Sequence, residues 1–92
     1  MDELSRLRAE LDVIDSEIVT AIGARLAKAR QIGAAKATMG SVVRDPARER
    51  IVLDGVRTQA EAIGSNADLT EEVFITLIHG ALRVQNHDPS ND

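Results

Sequence analysis

Apolar residues recur at steps of three or four positions over the first part of the chain. This spacing places them along one side of an α-helix. It predicts one helix from about Glu3 to about Ala37, which at ~1.5 Å per residue is on the order of 50 Å long. The series consists of Leu4, Leu7, Leu11, Ile14, Ile18, Ile22, Leu26 and Ala29, with Lys36 in the same register.

A break is predicted after this helix. Gly40 and the β-branched pair at 42–43 interrupt the helical pattern, so residues 38–43 are expected to form a loop. Asp45 and Pro46 then favour a new helix, because Asp caps free backbone amides and Pro fits the first helical position.

Two shorter helices are predicted beyond this point. The second covers residues 46–63 and ends at Gly64-Ser65-Asn66. The third begins near Asp68–Thr70, where Thr70 and nearby acids suit a helix start, and ends near Asn86, before a polar tail that we expect to be mobile. The apolar side of the second helix consists of Ile51, Val52, Val56, Ala60 and Ile63, and that of the third of Val73, Phe74, Leu77, Ile78, Ala81 and Leu82. The sequence therefore predicts an all-α fold of three helices, one long and two shorter.

The long apolar side predicts an oligomer. With 92 residues, the chain is expected to form a single domain over residues 1–92, too small to cover a side of that length by itself. Packing of two long helices against each other would cover it, so we expect a homodimer.

Composition excludes several classes of function. The single aromatic residue and the net charge of -4 argue against nucleic-acid binding, which uses aromatic stacking and cationic surfaces. The chain has no Cys, and its two His do not form a ligand cluster, so no disulfide, thiol nucleophile or metal site is expected. It has neither a signal-peptide core nor an apolar run of the ~20 residues that span a membrane, so a cytoplasmic location without membrane contact is expected.

Four polar residues occupy positions on the apolar sides of the predicted helices. They are Arg25 and Lys36 in the first helix, Glu49 in the second and Gln85 in the third. Burying a charge without a partner is costly, so these positions suggest a pocket for an anionic ligand. Arg25 and Lys36 are about three turns apart on the same side, and the small residues Ala29 and Gly33 between them are expected to leave room for the ligand.

Each polar residue also has a structural explanation. Long cationic side chains can lie on apolar surface with their charged ends in water, and Lys36 suits a helix C-terminus. Glu49 suits a helix N-terminus and, with its arginine neighbours, fits a solvated charge cluster. The amide of Gln85 can satisfy a helix end, and Arg8 suits either a surface position or a dimer interface.

The whole chain, in order, resembles the all-helical chorismate mutase family. The resemblance rests on Leu-Arg-x-x-Leu-x-x-Ile-Asp at 7–15, Arg25, Gly-Ala-Ala-Lys at 33–36, Val-Arg-Asp-x-x-Arg-Glu at 43–49, and Gln85. It implies an intertwined homodimer whose two sites take residues from both subunits. It also implies rearrangement of chorismate to prephenate without a metal, a cofactor or a covalent intermediate.

The resemblance also implies roles for particular residues. Arg25 and Arg48 would bind the substrate carboxylates, with Arg8 supplied by the other subunit. Lys36 and Gln85 would donate hydrogen bonds to the ether oxygen as its bond to carbon breaks, and Gln85 would do so at any pH. Glu49 and Asp45 would hold the ring hydroxyl.

Ala81 departs from the family pattern. Bacterial relatives often carry a hydroxyl residue there that contacts a substrate carboxylate. The related 4-amino-4-deoxychorismate mutases and isochorismate-pyruvate lyases therefore remain alternatives, although Glu49 disfavours the lyases, whose corresponding residue tends to be apolar. The alternative outside enzymes is a helical dimerisation module.

Overall fold

The protein folds into three α-helices. The computed structural model describes residues 2–40 and 44–86, which form α1 (Glu3–Met39), α2 (Pro46–Ala62) and α3 (Ala67–Asn86), with no strand among them. This confirms the prediction of an all-α fold with one long and two shorter helices. Positions 41–43 of the predicted loop and the tail at 87–92 lie outside the described residues.

The ends of α1 follow from local hydrogen bonds. The carboxylate of Asp2 accepts a 2.7 Å hydrogen bond from the backbone amide of Ser5, which lowers the pKa of Asp2 below its usual value. At the other end, Thr38 and Met39 are helical, so the prediction that α1 ends near Ala37 was two residues short. The helix ends at Gly40, whose φ of 70° is a left-handed conformation that glycine adopts without strain.

The starts of the shorter helices follow from side-chain caps. The carboxylate of Asp45 accepts a 3.0 Å hydrogen bond from the amide of Arg48, as expected for the cap of α2. The prediction that α3 begins near Asp68–Thr70 was slightly late, because Asn66 caps this helix by accepting a 2.9 Å hydrogen bond from the amide of Leu69. The hydroxyl of Thr70 instead bonds to the backbone oxygen of Asn66 from within the first turn.

Helix α3 lies between the other two helices. It packs against both α1 and α2, whereas the backbones of α1 and α2 lie further apart, with no Cα atoms within 8 Å of each other among the described residues. The buried apolar residues are Ala29 of α1, Leu53, Val56 and Ala60 of α2, and Ile78 and Ala81 of α3. The interior of one chain is therefore small and centres on α3.

The predicted apolar side of α2 was partly wrong. The buried row is Leu53, Val56 and Ala60, which follow the three-and-four spacing of one helical side. Ile51 is 61% exposed because two residues along a helix turn the side chain roughly 200° away from Leu53. Ile63 is 82% exposed because it lies beyond the last turn of the helix.

An ion-pair cluster also joins α2 to α3. The guanidinium of Arg57 donates to Asp68 at 2.9 Å and to Glu71 at 3.0 Å, and the hydrogen bond to Asp68 is the main cause that raises the pKa of Arg57. These contacts connect the middle of α2 with the first two turns of α3.

The first half of α1 projects away from the other helices. Its large apolar residues are exposed, from 47% for Leu7 to 68% for Val19, and the molecule is 56 Å long. The apolar side that the sequence predicts is therefore present, but a single chain leaves it uncovered. No helix of the described residues is long and apolar enough to cross a membrane.

Gly33 allows α1 and α3 to approach each other closely. A Cβ atom at this position would lie 3.0 Å from Cα and 3.2 Å from Cβ of Gln85. The expectation that Gly33 leaves room for a ligand was therefore wrong, because the backbone of α3 fills that space.

We predict that Gly33→Ala destabilises the protein by about 1–3 kcal/mol, because overpacking forces α3 to shift. Gly55→Ala is the matched control. No atom would lie within 4 Å of its new Cβ, and it should stabilise α2 by about 0.5–1 kcal/mol. Urea unfolding followed by circular dichroism measures both changes, and equal stability of the two variants would contradict the close approach.

Candidate active site

A cavity of about 350 Å³ lies where the last turns of α1, the start of α2 and the second half of α3 converge. Its size is within the usual range of small-molecule sites. Its lining residues are Arg25, Lys28, Ala29, Ile32 and Lys36 of α1, Asp45, Arg48, Glu49 and Val52 at the start of α2, and Ile78, Ala81, Leu82 and Gln85 of α3. These include every site residue predicted from the sequence except Arg8.

Helix α1 contributes the two cations expected on its apolar side. Arg25 is half-buried, its guanidinium carbon lies 5.8 Å from the ring centre of Phe74, and its Nη1 lies 3.5 Å from the backbone oxygen of Leu77. These contacts hold the Arg25 guanidinium near α3. Lys36 is also half-buried and lies three turns further along, with the buried Ala29 between them on the cavity wall.

The start of α2 contributes two acids and one cation. The carboxylate of Asp45 is engaged in capping the amide of Arg48. Both oxygens of Glu49 are held by Arg44, from Nε to Oε2 at 3.2 Å and from Nη2 to Oε1 at 3.3 Å. The Glu49 side chain is only 19% exposed, so this pairing stabilises a charge that is largely removed from water.

Helix α3 contributes the amide of Gln85 and an apolar wall. The side-chain oxygen of Gln85 is buried and has no hydrogen-bond partner among the described residues. Ala81 is buried on the same wall, one turn before Gln85, next to Ile78.

The electrostatics of the cavity favour an anion. Among the described residues, four cations line it, Arg25, Lys28, Lys36 and Arg48, against two acids. Both acids are already hydrogen-bonded, Asp45 to a backbone amide and Glu49 to Arg44. The excess of two positive charges matches a ligand that carries two carboxylates.

Arg8 is not part of this cavity. It is exposed, and it lies 17 residues before Arg25, the first cavity residue of the same helix, or about 25 Å along its axis. That distance is several times the reach of an arginine side chain, so Arg8 does not reach the cavity of its own chain.

The sequence prediction missed several residues at or beside the cavity, among them Lys28, Ile32 and Arg44. Lys28 and Ile32 line it between Arg25 and Lys36, and their spacing of three and four from those residues was the available signal. Arg44 was interpreted as part of a solvated cluster, and its pairing with Glu49 depends on how the chain enters α2, which spacing does not reveal.

A second, wider concavity of about 890 Å³ lies between α1 and α3. Ile22 and Leu26, the members of the apolar side that follow the exposed half of α1, are among its lining residues, together with Leu77 and Val84 of α3. The uncovered apolar side of α1 is thus continuous with this concavity.

Comparison with known proteins gives a consistent result. Residues 7–86 match the family model described as "Chorismate mutase type II". The chain is 37% identical over 74 residues to a T-protein of Haemophilus influenzae and 30% identical over 84 residues to a T-protein of Enterobacter agglomerans. It is 26% identical over 78 residues to a chorismate mutase of Methanocaldococcus jannaschii.

The extent of these matches differs between the relatives. They cover 80% and 91% of this chain but only 20% and 22% of the two T-proteins, so the chain spans about a fifth of the length of those relatives. The match to the Methanocaldococcus enzyme covers 85% of this chain and 79% of that protein. Because the family model matches most of the chain, the protein belongs to the chorismate mutase type II family.

Proposed function

We propose that the protein is a chorismate mutase that converts chorismate to prephenate in the cavity between its three helices. The observation that carries the proposal is the convergence of four cations and the Gln85 amide on one cavity of about 350 Å³. Family membership supports this reaction, and the chemistry of the substrate explains the residue types.

Substrate binding follows from the two carboxylates of chorismate. Arg25 and Arg48 bind them, because a guanidinium group forms paired hydrogen bonds to a carboxylate and so fixes its orientation as well as its position. The two arginines lie on different helices, so together they hold the flexible substrate in the compact conformation that brings the reacting carbons together.

Catalysis follows from the charge that develops as the ether bond breaks. Lys36 and the side-chain amide of Gln85 donate hydrogen bonds to the ether oxygen, which becomes more negative in the transition state than in the substrate. Neither residue forms a covalent bond with the substrate. The preorganised donors lower the barrier because they need no reorientation during the reaction.

The ring hydroxyl is bound at the start of α2. Each oxygen of Glu49 already accepts one hydrogen bond from Arg44 and retains the capacity to accept another from the hydroxyl. Asp45 caps the helix beside it and thereby maintains the backbone that carries Arg48 and Glu49. The buried Ala81 supplies no hydrogen bond, so this part of the wall contributes shape alone.

The alternative of a pure dimerisation module explains less. Such a module needs the apolar side of α1, but it does not need an excess of cations in a cavity. This excess has a cost in stability that a bound dianion offsets.

We also propose that the active protein is a homodimer with Arg8 supplied by the partner subunit. The exposed half of α1 and the concavity of about 890 Å³ beside it offer one continuous apolar surface to a second copy. A twofold axis that crosses α1 between Ile14 and Ile18 would bring position 8 of one helix opposite about position 24 of the other. Position 24 adjoins Arg25, so the partner's Arg8 would lie at the edge of the cavity.

We predict that Lys36→Ala and Gln85→Ala each lower kcat by on the order of a hundredfold, because each removes a donor to the developing oxyanion. Gln59→Ala, an exposed change on α2 outside the cavity, is the matched control and should leave the rate unchanged. The assay is the rate of prephenate formation from chorismate, with helicity and sedimentation measured in parallel. An unaltered rate in either cavity variant would remove that residue from the mechanism.

We predict that Arg8→Ala and Lys36→Ala chains, each nearly inactive alone, regain activity when they are unfolded together and refolded as a mixture. A mixed dimer would contain one complete site, so about a quarter of all sites would be restored after random association. If Arg8 acted within its own chain, every site in the mixture would lack one residue and no activity would return. A monomer by sedimentation at micromolar concentration would contradict the dimer itself.

A further inference from the structure

The ion pair between Arg44 and Glu49 changes what Glu49 can recognise. Arg44 does not line the cavity, whereas Glu49 does, so the guanidinium contacts this acid from outside the cavity wall. Both carboxylate oxygens are engaged, at 3.2 and 3.3 Å. The negative charge that Glu49 presents to a ligand is therefore partly neutralised.

We propose that Arg44 determines substrate specificity by favouring a neutral hydroxyl over an ammonium group at the ring position that Glu49 contacts. This inference rests on the proposed function. It assigns the site to chorismate rather than to 4-amino-4-deoxychorismate, and it gives that preference to a residue that does not contact the substrate.

The physical reason is the difference in charge between the two substrates. A hydroxyl needs only an acceptor, and each Glu49 oxygen retains a free lone pair after its bond to Arg44. An ammonium gains most from an uncompensated carboxylate and is repelled by a guanidinium on the other side of it. Glu49 is only 19% exposed, so water screens these interactions less than it does at the surface.

The surrounding charges act in the same direction. Arg48 and Lys36 also line the cavity, and the carboxylate of Asp45 is already engaged with the backbone amide of Arg48. An ammonium group next to Glu49 would therefore meet no acid without a hydrogen-bond partner among the described residues. Arg44 is a positioning residue, because it acts through Glu49.

The chain offers a closely matched control. Arg50, in the second turn of α2, pairs with Asp54 at 3.3 Å, and its side chain is 64% exposed against 65% for Arg44, which precedes the helix. Neither Arg50 nor Asp54 lines the cavity. Arg50→Gln thus removes the same charge from a nearby position and leaves the ion pair between Arg44 and Glu49 in place.

The test measures kcat/KM and the dissociation constant for both chorismate and 4-amino-4-deoxychorismate. We expect Arg44→Gln to shift the ratio of kcat/KM for the two substrates toward the amino substrate by about fivefold, a change typical of one partly screened charge. Arg44→Lys keeps the charge and should keep the ratio within about twofold of the original protein, as should Arg50→Gln. A loss of folding alone would lower kcat/KM for both substrates by the same factor and leave their ratio unchanged.

An unchanged ratio in Arg44→Gln, or an equal shift in Arg50→Gln, would overturn this role of Arg44. If the unaltered protein converts neither compound, the proposed function fails instead. The two dissociation constants then still decide whether Arg44 controls the choice between hydroxyl and ammonium.

Discussion

The packing of α3 against both other helices is the interaction on which the site depends. The backbones of α1 and α2 do not approach within 8 Å of each other among the described residues, so the packing of each on α3 determines the space between them. The absence of a side chain at Gly33 lets α3 approach α1 closely at Gln85, and the row from Leu53 to Ala60 packs α2 against its other side. The cavity is the space that remains near the end of α1.

The same packing places polar and charged side chains of the three helices around the cavity, at positions where apolar residues would stabilise the fold more. Arg25 and Lys36 lie on the side of α1 that faces α3, and Glu49 and Gln85 complete the ring around the cavity. A small interior cannot offset several unpaired buried charges. Phe74 lies beneath Arg25, and Arg44 holds Glu49. The side-chain oxygen of Gln85 is buried without a hydrogen-bond partner among the described residues.

Much of this arrangement follows from the sequence. The helix spacing and the cap at Asp45-Pro46 predicted three helices. One-sided patterning pointed to Arg25, Lys36, Glu49 and Gln85, the family resemblance added Asp45, Arg48 and Ala81, and all seven line one cavity. What the sequence did not reveal depends on tertiary contacts. Gly33 was expected to leave space, whereas the backbone of α3 occupies it. Leu53 rather than Ile51 is buried, because the position of α3 selects which row of α2 is covered. The pairing of Arg44 with Glu49 depends on the chain path into α2.

The most direct test of the proposed function is to incubate the purified protein separately with chorismate, isochorismate and 4-amino-4-deoxychorismate and to identify the products. We expect that chorismate is converted fastest and that its product is prephenate. Salicylate and pyruvate from isochorismate, faster conversion of the amino compound, or no conversion of chorismate by a folded helical dimer would contradict it.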